Sequence, residues 1–336
     1  MRNEMKSPLS KLSAIALCGI ALLAFSLLLT TGCKKKTPPP EPPPPTPTPV
    51  IPPGSVVFIQ RGHLARLDLE TSQITPLTGG KSTEWFPACS PTDPQVLYWS
   101  NAEDGHYELW KCDLDGSHRT RLTFNETDVL RTEDQNLLLS NAPAWSADGK
   151  RILYSLQGDL WAMDANGFNP ETILLNHSAK CPLFSPDGKG VLFLSNADDT
   201  VYNLWTLTLS DKSLKKLTNY TDWNMGSPCY SEDGRKILFN LYRSNTTQLY
   251  TVNSDGTNPL DITKNNKSLS PQYAIKDRKI IYCSYGPNED LGLNLFMMNS
   301  NGTESAALTK EGGTSPSWAP SKVAKATAPL PTPVAK

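Results

Sequence analysis

A short pattern recurs six times in this chain, and it restricts the possible folds more than any other feature of the sequence. Each copy has a proline at its second position, and in five copies an aromatic residue follows two positions later. Successive prolines are separated by 56, 39, 46, 43 and 45 residues. Self-similarity with a period of about 40–45 residues indicates a repeat architecture. The copies are residues 86–91, 142–147, 181–186, 227–232, 270–275 and 315–320.

The unit that begins at residue 181 shows what one repeat contains. A short strand is followed by the turn 186–189, whose Asp-Gly pair supplies the backbone angles of a tight turn. The apolar run 191–195 and the β-branched and aromatic run 204–209 predict two further strands, separated by a polar loop. A second turn leads into an outer strand that ends at residue 218. Four strands joined by hairpins form one blade of a β-propeller.

The first unit lacks an inner strand of its own. Residues 56–60, 64–69 and 73–78 are interpreted as its second, third and fourth strands, and the last copy of the pattern, 315–320, matches the missing one. Joining strands from both ends of the domain closes a ring and removes the free sheet edges of an open array. We therefore predict an all-β fold, a six-bladed β-propeller over residues 54–320 that is closed by strands from both termini.

The first 32 residues are typical of a secretory signal peptide. Three basic residues lie within the first 11, and an uncharged apolar run follows over residues 12–29. The small residue Gly32 immediately before Cys33 resembles the lipobox of bacterial lipoproteins, which implies cleavage after Gly32 and a lipid on Cys33. Thr30 occupies a position where that family usually has leucine. A plain signal peptide and an uncleaved anchor are the alternatives.

Two proline-rich segments flank the predicted propeller. Residues 33–53 begin with Cys33 and three lysines, and proline dominates from residue 37 onward. Such runs adopt extended polyproline II and act as semi-rigid spacers, so this segment is predicted to tether the propeller to a membrane. Residues 321–336 are rich in Ala, Pro and Lys and predict a disordered tail. The net charge of −1 gives no indication of nucleic acid as a partner.

The cysteines of the predicted propeller do not suggest a disulfide framework. Their number is odd, no two of them form a Cys-x-x-Cys pair, and they lie on or beside predicted strands. We expect them to be buried thiols that pack as small apolar side chains. They are Cys89, Cys112, Cys181, Cys229 and Cys283.

The repeats resemble those of the TolB β-propeller, the WD40-like repeat known as PD40. The resemblance rests on Pro-x-aromatic-Ser-Pro-Asp-Gly-Lys, an apolar strand, Leu-Trp-x-Met-Asp-x-Asn/Asp-Gly and a final Leu-Thr, and it covers about residues 54–320. It implies an envelope protein that docks a Pal-like partner on the mouth of its propeller. TolB also has a mixed α/β domain before the propeller, whereas here we expect only the tether before Gly54. Contact with TolA, which that domain implies, is therefore not expected.

No catalytic motif stands out in the sequence, and we expect a binding protein without cofactor or metal rather than an enzyme. The sequence contains no nucleophile elbow, phosphate-binding loop or zinc motif. The Asp-x-Asp-Gly segments lack the twelve-residue ligand pattern of calcium loops, so we interpret them as hairpin turns. Oligogalacturonate lyases share PD40 repeats and use a histidine-rich metal site, which the four histidines of this chain do not match. A propeller that binds or cleaves glycans is the alternative function.

Function is expected on the face where the loops vary most between repeats. In a blade of four antiparallel strands, the loops between strands two and three share one face with the loops between blades. The loop 124–141 is the longest of these and accounts for the 56-residue spacing. Trp85 and Trp223 are placed in blade-to-blade loops, where they contact either a partner or the adjoining blade. The predicted partner-binding residues are Trp85, Asp104, His106, Asp128, Arg131, Asp199, Trp223 and Arg243.

The expected partner is another envelope protein, and a Pal-like protein is what the TolB resemblance implies. The chain itself is expected to be a monomer, anchored through Cys33 in the outer membrane and facing the periplasm. Lys34 follows the lipid cysteine. It is not the aspartate that often marks retention in the inner membrane, which favours the outer membrane.

Overall fold

The structure is a computed structural model that describes residues 54–103, 105–124, 141–244, 246–263, 267–273, 278–285 and 292–319. The predicted signal peptide, the tether with Cys33 and the predicted tail lie outside the described residues. All regular secondary structure in the described ranges is β, arranged as six four-stranded antiparallel sheets. In these ranges there is no helix long and apolar enough to cross a membrane.

Each sheet is one blade, and the six blades confirm the predicted propeller. Strand order follows the chain in every blade except blade 1, whose inner strand comes from the far end of the domain. From inner to outer strand, blade 1 is β24 (Thr314–Ala319), β1 (Ser55–Gln60), β2 (His63–Asp68) and β3 (Ile74–Pro76); blade 2 is β4 (Glu84–Cys89), β5 (Gln95–Ser100), β6 (Glu108–Asp113) and β7 (Thr120–Arg121); blade 3 is β8 (Ala144–Trp145), β9 (Arg151–Leu156), β10 (Asp159–Asp164) and β11 (Glu171–Leu174); blade 4 is β12 (Lys180–Phe184), β13 (Gly190–Ser195), β14 (Asn203–Thr208) and β15 (Leu214–Lys216); blade 5 is β16 (Asn224–Tyr230), β17 (Lys236–Arg243), β18 (Thr246–Asn253) and β19 (Leu260–Asp261); blade 6 is β20 (Ser268–Tyr273), β21 (Lys279–Tyr285), β22 (Leu293–Asn299) and β23 (Ala306–Ala307).

The ring closes through β24, as the last copy of the repeat predicts. This strand pairs antiparallel with β1, with Trp318 opposite Val56 and Ser317 opposite Val57. It also reaches the next blade, because Ser317 Oγ accepts a hydrogen bond from the backbone N–H of Cys89 at 2.9 Å. The two ends of the domain are therefore held in one sheet, and blade 1 is tied to blade 2.

Six hydrophobic clusters form the core, one between each pair of neighbouring blades. The second strand of a blade contributes to two of them, because side chains alternate along a strand. In β1, Val56 and Phe58 pack in the cluster shared with blade 6, while Val57 and Ile59 pack in the cluster shared with blade 2. A strand covered on both sides is apolar throughout, which explains the uninterrupted apolar runs in the sequence.

The Leu-Thr pair that ends most repeats has a defined structural role. The threonine hydroxyl lies beside the start of the third strand, where Thr218 Oγ1 accepts the backbone N–H of Leu204 at 3.0 Å. The same bond, at 2.8–3.0 Å, occurs in four other blades, and blade 3 has Leu174-Leu175 instead. Those four bonds join Leu64 to Thr78, Leu109 to Thr123, Leu249 to Thr263 and Leu295 to Thr309.

The glycine of the turn between strands three and four packs on the Leu-Thr segment of the preceding blade. A Cβ added to Gly116 would lie 2.4 Å from the Leu77 carbonyl oxygen, and one added to Gly256 would lie 2.2 Å from that of Leu217. Both glycines also have positive φ, which favours glycine. The two most regular motifs of the repeat therefore meet at the interface between blades, which accounts for their recurrence.

The inner strands share a bulge at the repeat proline. The residue before the proline has a left-handed backbone in five blades, with φ between 47° and 52°. The register with the second strand shifts at the same place, as expected for a β-bulge. Proline is tolerated at a bulge because no ladder hydrogen bond is needed from its nitrogen. The five residues are Phe86, Cys181, Ser227, Ser270 and Ser315.

Candidate functional site

One end of the propeller combines the loops between strands two and three with the blade-to-blade loops. At the junction of blades 1 and 2, the backbone N–H of Glu84 donates to the Gly62 carbonyl at 2.8 Å, and that of Thr83 donates to Asn101 Oδ1 at 2.7 Å. Gly62 and Asn101 lie in strand two–three loops, whereas Thr83 precedes β4. We call this end the loop face and the opposite end, which carries the Asp-Gly turns, the turn face.

Two of the four histidines, His106 and His177, lie in loops of the loop face. His106 is half-buried between β5 and β6, and Nδ1 of His177 lies 2.6 Å from the Leu175 carbonyl oxygen. Across the described ranges, no group of three or more His, Cys, Asp and Glu side chains is placed to hold a metal ion. Three other predicted site residues, Asp104, Asp128 and Arg131, lie outside these ranges.

Trp85 lies in a strand and not in a loop, so its predicted placement was wrong. It is the second residue of β4 and pairs with Trp99 of β5. Its indole nitrogen donates to the Tyr107 hydroxyl at 3.1 Å, and its ring centroid is 5.7 Å from that of Phe86. The strand begins earlier than the sequence suggests because pairing continues past the proline bulge. Trp85 is therefore half-buried and packs against the hydrophobic cluster between blades 2 and 3.

Asp199 is held within its own blade. Its carboxylate lies 2.5 Å from Nζ of Lys216 and accepts a hydrogen bond from the Asn203 side-chain amide at 3.3 Å. These contacts tie the loop between β13 and β14 to the outer strand β15. The carboxylate is therefore engaged in positioning this loop.

Trp223 belongs to a group of aromatic side chains at the loop-face end of blades 4 and 5. Tyr202, Tyr220 and Trp223 are half-buried and pack against the cluster between these blades. Tyr242, near the end of β17, is close enough to Tyr202 for the two to interact electrostatically. Burial raises the pKa of Tyr242. We call these four residues the aromatic cluster. Sequence reasoning found only Trp223, because the three tyrosines are separated along the chain.

Polar groups surround the aromatic cluster. The backbone N–H of Tyr202 donates to Asn224 Oδ1 at 3.0 Å, which links the loop of blade 4 to the inner strand of blade 5. The ammonium of Lys180 lies 5.5 Å from the centroid of the Tyr202 ring, within the range of a cation–π contact. The cluster therefore combines apolar ring area with charged and amide groups at its edge.

Arg243, one of the predicted partner-binding residues, is the last residue of β17. The hairpin of β17 and β18 pairs as far as Arg243 and Thr246. The guanidinium is exposed and lies 3.9 Å from the carboxylate of Asp222, which is also exposed. An ion pair of this kind contributes little to stability. Arg243 can therefore exchange this contact for one with a partner.

A buried carboxylate that sequence reasoning missed organises the junction of blades 1 and 2. Glu84 is buried, and it accepts hydrogen bonds from the hydroxyls of Thr78, Ser82 and Ser100 at 2.7, 2.7 and 3.1 Å. His63 Nδ1 lies 3.0 Å from the same carboxylate. A buried carboxylate with this many partners stabilises the surrounding loops. The available signal was an acid six residues after the Thr78 of a Leu-Thr pair.

The inner strands enclose a central cavity of about 330 Å³, lined by residues from all six blades. The repeat prolines line it, together with four half-buried aromatic residues from consecutive blades. This volume is within the range of small-ligand sites. The sequence predicted function at the loops and gave no expectation of a cavity. The aromatic residues are Trp145, Phe184, Tyr230 and Tyr273.

The five cysteines of the described ranges form no disulfide bond with one another. Four of these side chains are buried and Cys89 is half-buried. Burial raises the pKa of the Cys89, Cys112, Cys229 and Cys283 thiols to about 12. These thiols are therefore protonated at neutral pH and are poor nucleophiles.

Comparison with known proteins identifies the repeats. A family model described as the TolB beta propeller domain (PD40) matches residues 130–324. An uncharacterized protein of Agrobacterium fabrum is 26% identical over 266 residues, covering 61% of this chain and 90% of that protein. The Tol-Pal system protein TolB of Francisella tularensis subsp. mediasiatica is 27% identical over 187 residues, covering 52% of this chain. The chain spans 40% of the length of that TolB.

Solved structures share the fold. The crystal structure of TolB from Acinetobacter baumannii matches with a TM-score of 0.65 and 21% identity, over 80% of this chain and 67% of that chain. The structure of a putative TolB from Agrobacterium tumefaciens matches with a TM-score of 0.62 and 19% identity, over 78% and 91%. Because the family model also covers more than half of the sequence, the chain belongs to the family of TolB beta propeller domains, as its repeats predicted.

Proposed function

We propose that this protein is a lipid-anchored component of the bacterial envelope whose propeller binds another envelope protein through the loop face. The observation that carries the proposal is the aromatic cluster. Arg243 is the residue that follows Tyr242 of this cluster in the sequence. Trp, Tyr and Arg side chains supply most of the binding energy at protein interfaces. Half-buried rings with polar groups at their edge are suited to such contacts, because little side-chain freedom is lost on binding. The proposed role is binding rather than catalysis.

The proposed partner is a Pal-like protein. The support is the family membership together with the similarity to a Tol-Pal system protein. The match covers part of that protein only, so the partner is carried over as a hypothesis about the propeller. The aromatic cluster lies on two blades of the loop face. A protein partner can span several blades and contact loops beyond the cluster.

The positions at which the chain enters and leaves the propeller support this arrangement. Ser55, at the start of β1, is paired with Ala319, at the end of β24. In the other blades, this end of the inner hairpin carries the turn between strands one and two, so both flanking segments join the propeller at the turn face. The loop face lies at the opposite end of the propeller from Ser55 and Ala319. The periplasm is the proposed compartment, and the outer membrane is the proposed site of the anchor on Cys33.

Capture of the partner tests the proposal. The full chain carrying Trp223→Ala and Arg243→Glu is crosslinked in envelopes and affinity-purified, and the recovered Pal-like protein is quantified. Loss of an interface hot spot of about 2 kcal/mol corresponds to a roughly 30-fold weaker affinity, so recovery falls sharply. Phe168→Ala is the matched control, since Phe168 is 68% exposed and lies in a turn of the turn face.

The outcome is informative only if both variants are folded, which their thermal unfolding midpoints establish. Capture that survives Trp223→Ala with Arg243→Glu, or that is lost in Phe168→Ala, contradicts binding through the loop face. The anchor is tested separately by Cys33→Ala, which should release the protein into the soluble fraction or leave an unprocessed precursor. A processed variant that stays on the membrane contradicts the lipid anchor.

A further inference from the structure

The central cavity surrounds the repeat prolines and extends from them toward the turn face. Its lining extends outward into the turns between strands one and two, through Pro91, Ala147 and Pro186. Trp85 and Met225, which lie beyond the prolines toward the loop face, do not line it. The cavity therefore extends further toward the turn face than toward the loop face, where partner binding is proposed.

The described wall of the cavity is uncharged. It combines the four half-buried aromatic residues with the repeat prolines and with small side chains such as Ala88, Ala144 and Ser317. Burial raises the pKa of Tyr230 to about 12, so its phenol is neutral at physiological pH. Gln272 supplies an amide with both donor and acceptor capacity. Aromatic walls with few polar groups are typical of grooves that bind proline-rich peptides in the polyproline II conformation.

The chain carries a segment of matching chemistry near this opening. Residues 326–335 contain Pro329, Pro331 and Pro333 and no charged side chain. The family match ends at residue 324, so this segment is additional to the propeller repeats. β24 ends at Ala319, and Ser317 within it lines the cavity. Ten residues of extended chain span up to roughly 35 Å, which lets residue 329 turn back to the channel from the end of β24.

The charges around the opening favour the same segment. The four described turns between strands one and two contain five carboxylates but only three basic side chains. Hydrogen bonds from Ser146, Ser185 and Ser231 lower the pKa of the aspartates that they contact, so these carboxylates are ionised at neutral pH. The stretch between β24 and residue 326 carries two lysines, Lys322 and Lys325. The carboxylates are Asp93, Asp148, Asp187, Glu232 and Asp233, and the basic residues are Lys150, Lys189 and Arg235.

We propose that residues 326–335 dock, as a polyproline II segment, in the central cavity of their own chain and enter it from the turn face. The prolines lie against the aromatic wall, and the two lysines lie at the acidic rim. The inference is independent of the proposed function, because it uses the opposite face of the propeller.

Photo-crosslinking in the full chain tests this proposal. The photoreactive residue p-benzoylphenylalanine replaces Thr332, and the crosslinked peptides are identified by mass spectrometry. We expect intramolecular crosslinks to the inner-strand peptides that contain Ala144, Leu183 and Gln272. Crosslinks that form mainly between two chains, or mainly to the loop face, overturn the proposal, as does a chain without intramolecular crosslinks.

Two further substitutions separate docking in the cavity from random contact. Ala144→Phe fills the channel and should lower the crosslink yield at least fivefold, whereas Ala197→Phe, at an exposed position of the loop face, should leave it unchanged. Leu330→Asp places a charge in the segment and should lower the yield to a similar extent without affecting the fold of the propeller. An unchanged yield in Leu330→Asp overturns the proposal even if Ala144→Phe fails to fold.

Discussion

At the scale of single residues, the glycines between strands three and four are fixed by contact with the preceding blade. We predict that Gly256→Ala destabilises the protein, because the new Cβ would lie 2.2 Å from the Leu217 carbonyl oxygen and φ is 93°. Gly188→Ala is the matched control, since φ is 70° there and nothing lies within 4 Å of the added Cβ. A left-handed backbone alone costs alanine about 1–2 kcal/mol.

Urea unfolding measures both variants. Gly188→Ala should lose about 1 kcal/mol, and Gly256→Ala should lose at least about 2 kcal/mol more, because the interface between blades has to open. Equal losses in the two variants would show that backbone conformation alone explains the recurring glycine.

The predicted site residues show how much of a site a sequence reveals. Trp223 was found because a tryptophan in a varied loop stands out, and the structure places it in the aromatic cluster. The tyrosines that complete the cluster come from different strands and loops, so their proximity depends on how two blades pack. Asp199 was predicted to bind a partner, yet its carboxylate contacts Lys216 of its own blade. The position of a charge in the chain does not reveal whether its partner is internal.

At the scale of elements, the turns between strands one and two depend on ionised aspartates. Asp187 accepts hydrogen bonds from Ser185 Oγ at 2.5 Å and from the Lys189 backbone N–H at 3.1 Å, and these bonds lower its pKa. Asp148 and Asp233 have the same arrangement. Since the pKa is lower in the folded state, the stabilisation is present above the unfolded pKa of about 3.9 and is lost as the pH falls through the folded pKa.

We predict that at pH 7 the wild-type protein is more stable than a triple variant. This variant carries Asp148→Asn, Asp187→Asn and Asp233→Asn. The difference should shrink as the pH falls below about 4, since the carboxylates become protonated and resemble the amides. Chemical unfolding of both proteins at a series of pH values gives this difference. If the difference in stability between the two proteins is constant between pH 7 and pH 2, the prediction is contradicted. The stabilisation then comes from hydrogen bonds that do not require an ionised carboxylate.

The elements themselves were largely predictable, because strand and turn signals repeat six times in register. The residues at which strands begin and end were less predictable. Pairing in β17 and β18 extends to Arg243, since both strands continue to form hydrogen bonds after the apolar run has ended. The inner strands extend beyond the proline for a related reason, as the bulge lets pairing resume on its far side. Both depend on backbone pairing, which side-chain patterns do not report.

At the scale of the whole molecule, ring closure by β24 is expected to dominate stability. A chain that ends after Gly313 loses the inner strand of blade 1, including the buried side chain of Trp318. Removing a buried tryptophan alone costs about 3–5 kcal/mol, so the thermal midpoint should fall by well over ten degrees. A chain that ends after Ser321 retains the strand and should unfold near the wild-type temperature. Equal midpoints for the two truncations contradict closure by β24.

The architecture of the molecule followed from the repeat count, because six units and one displaced strand leave few alternatives to a closed ring. The central cavity could not be predicted from the repeat count. Its volume depends on the side chains that six inner strands present to one axis, and no single repeat contains that information. The aromatic cluster is a property of the packed ring in the same sense.

The central claim is that a partner binds the loop face. Hydrogen exchange of the full chain, alone and bound to a Pal-like protein, measures this directly, because backbone amides covered by a partner exchange more slowly. We predict slower exchange in residues 196–202 and 219–223, which include three members of the aromatic cluster, and unchanged exchange in the turns 113–116 and 253–256. Protection confined to the turns 113–116 and 253–256, with unchanged exchange at the aromatic cluster, would contradict it.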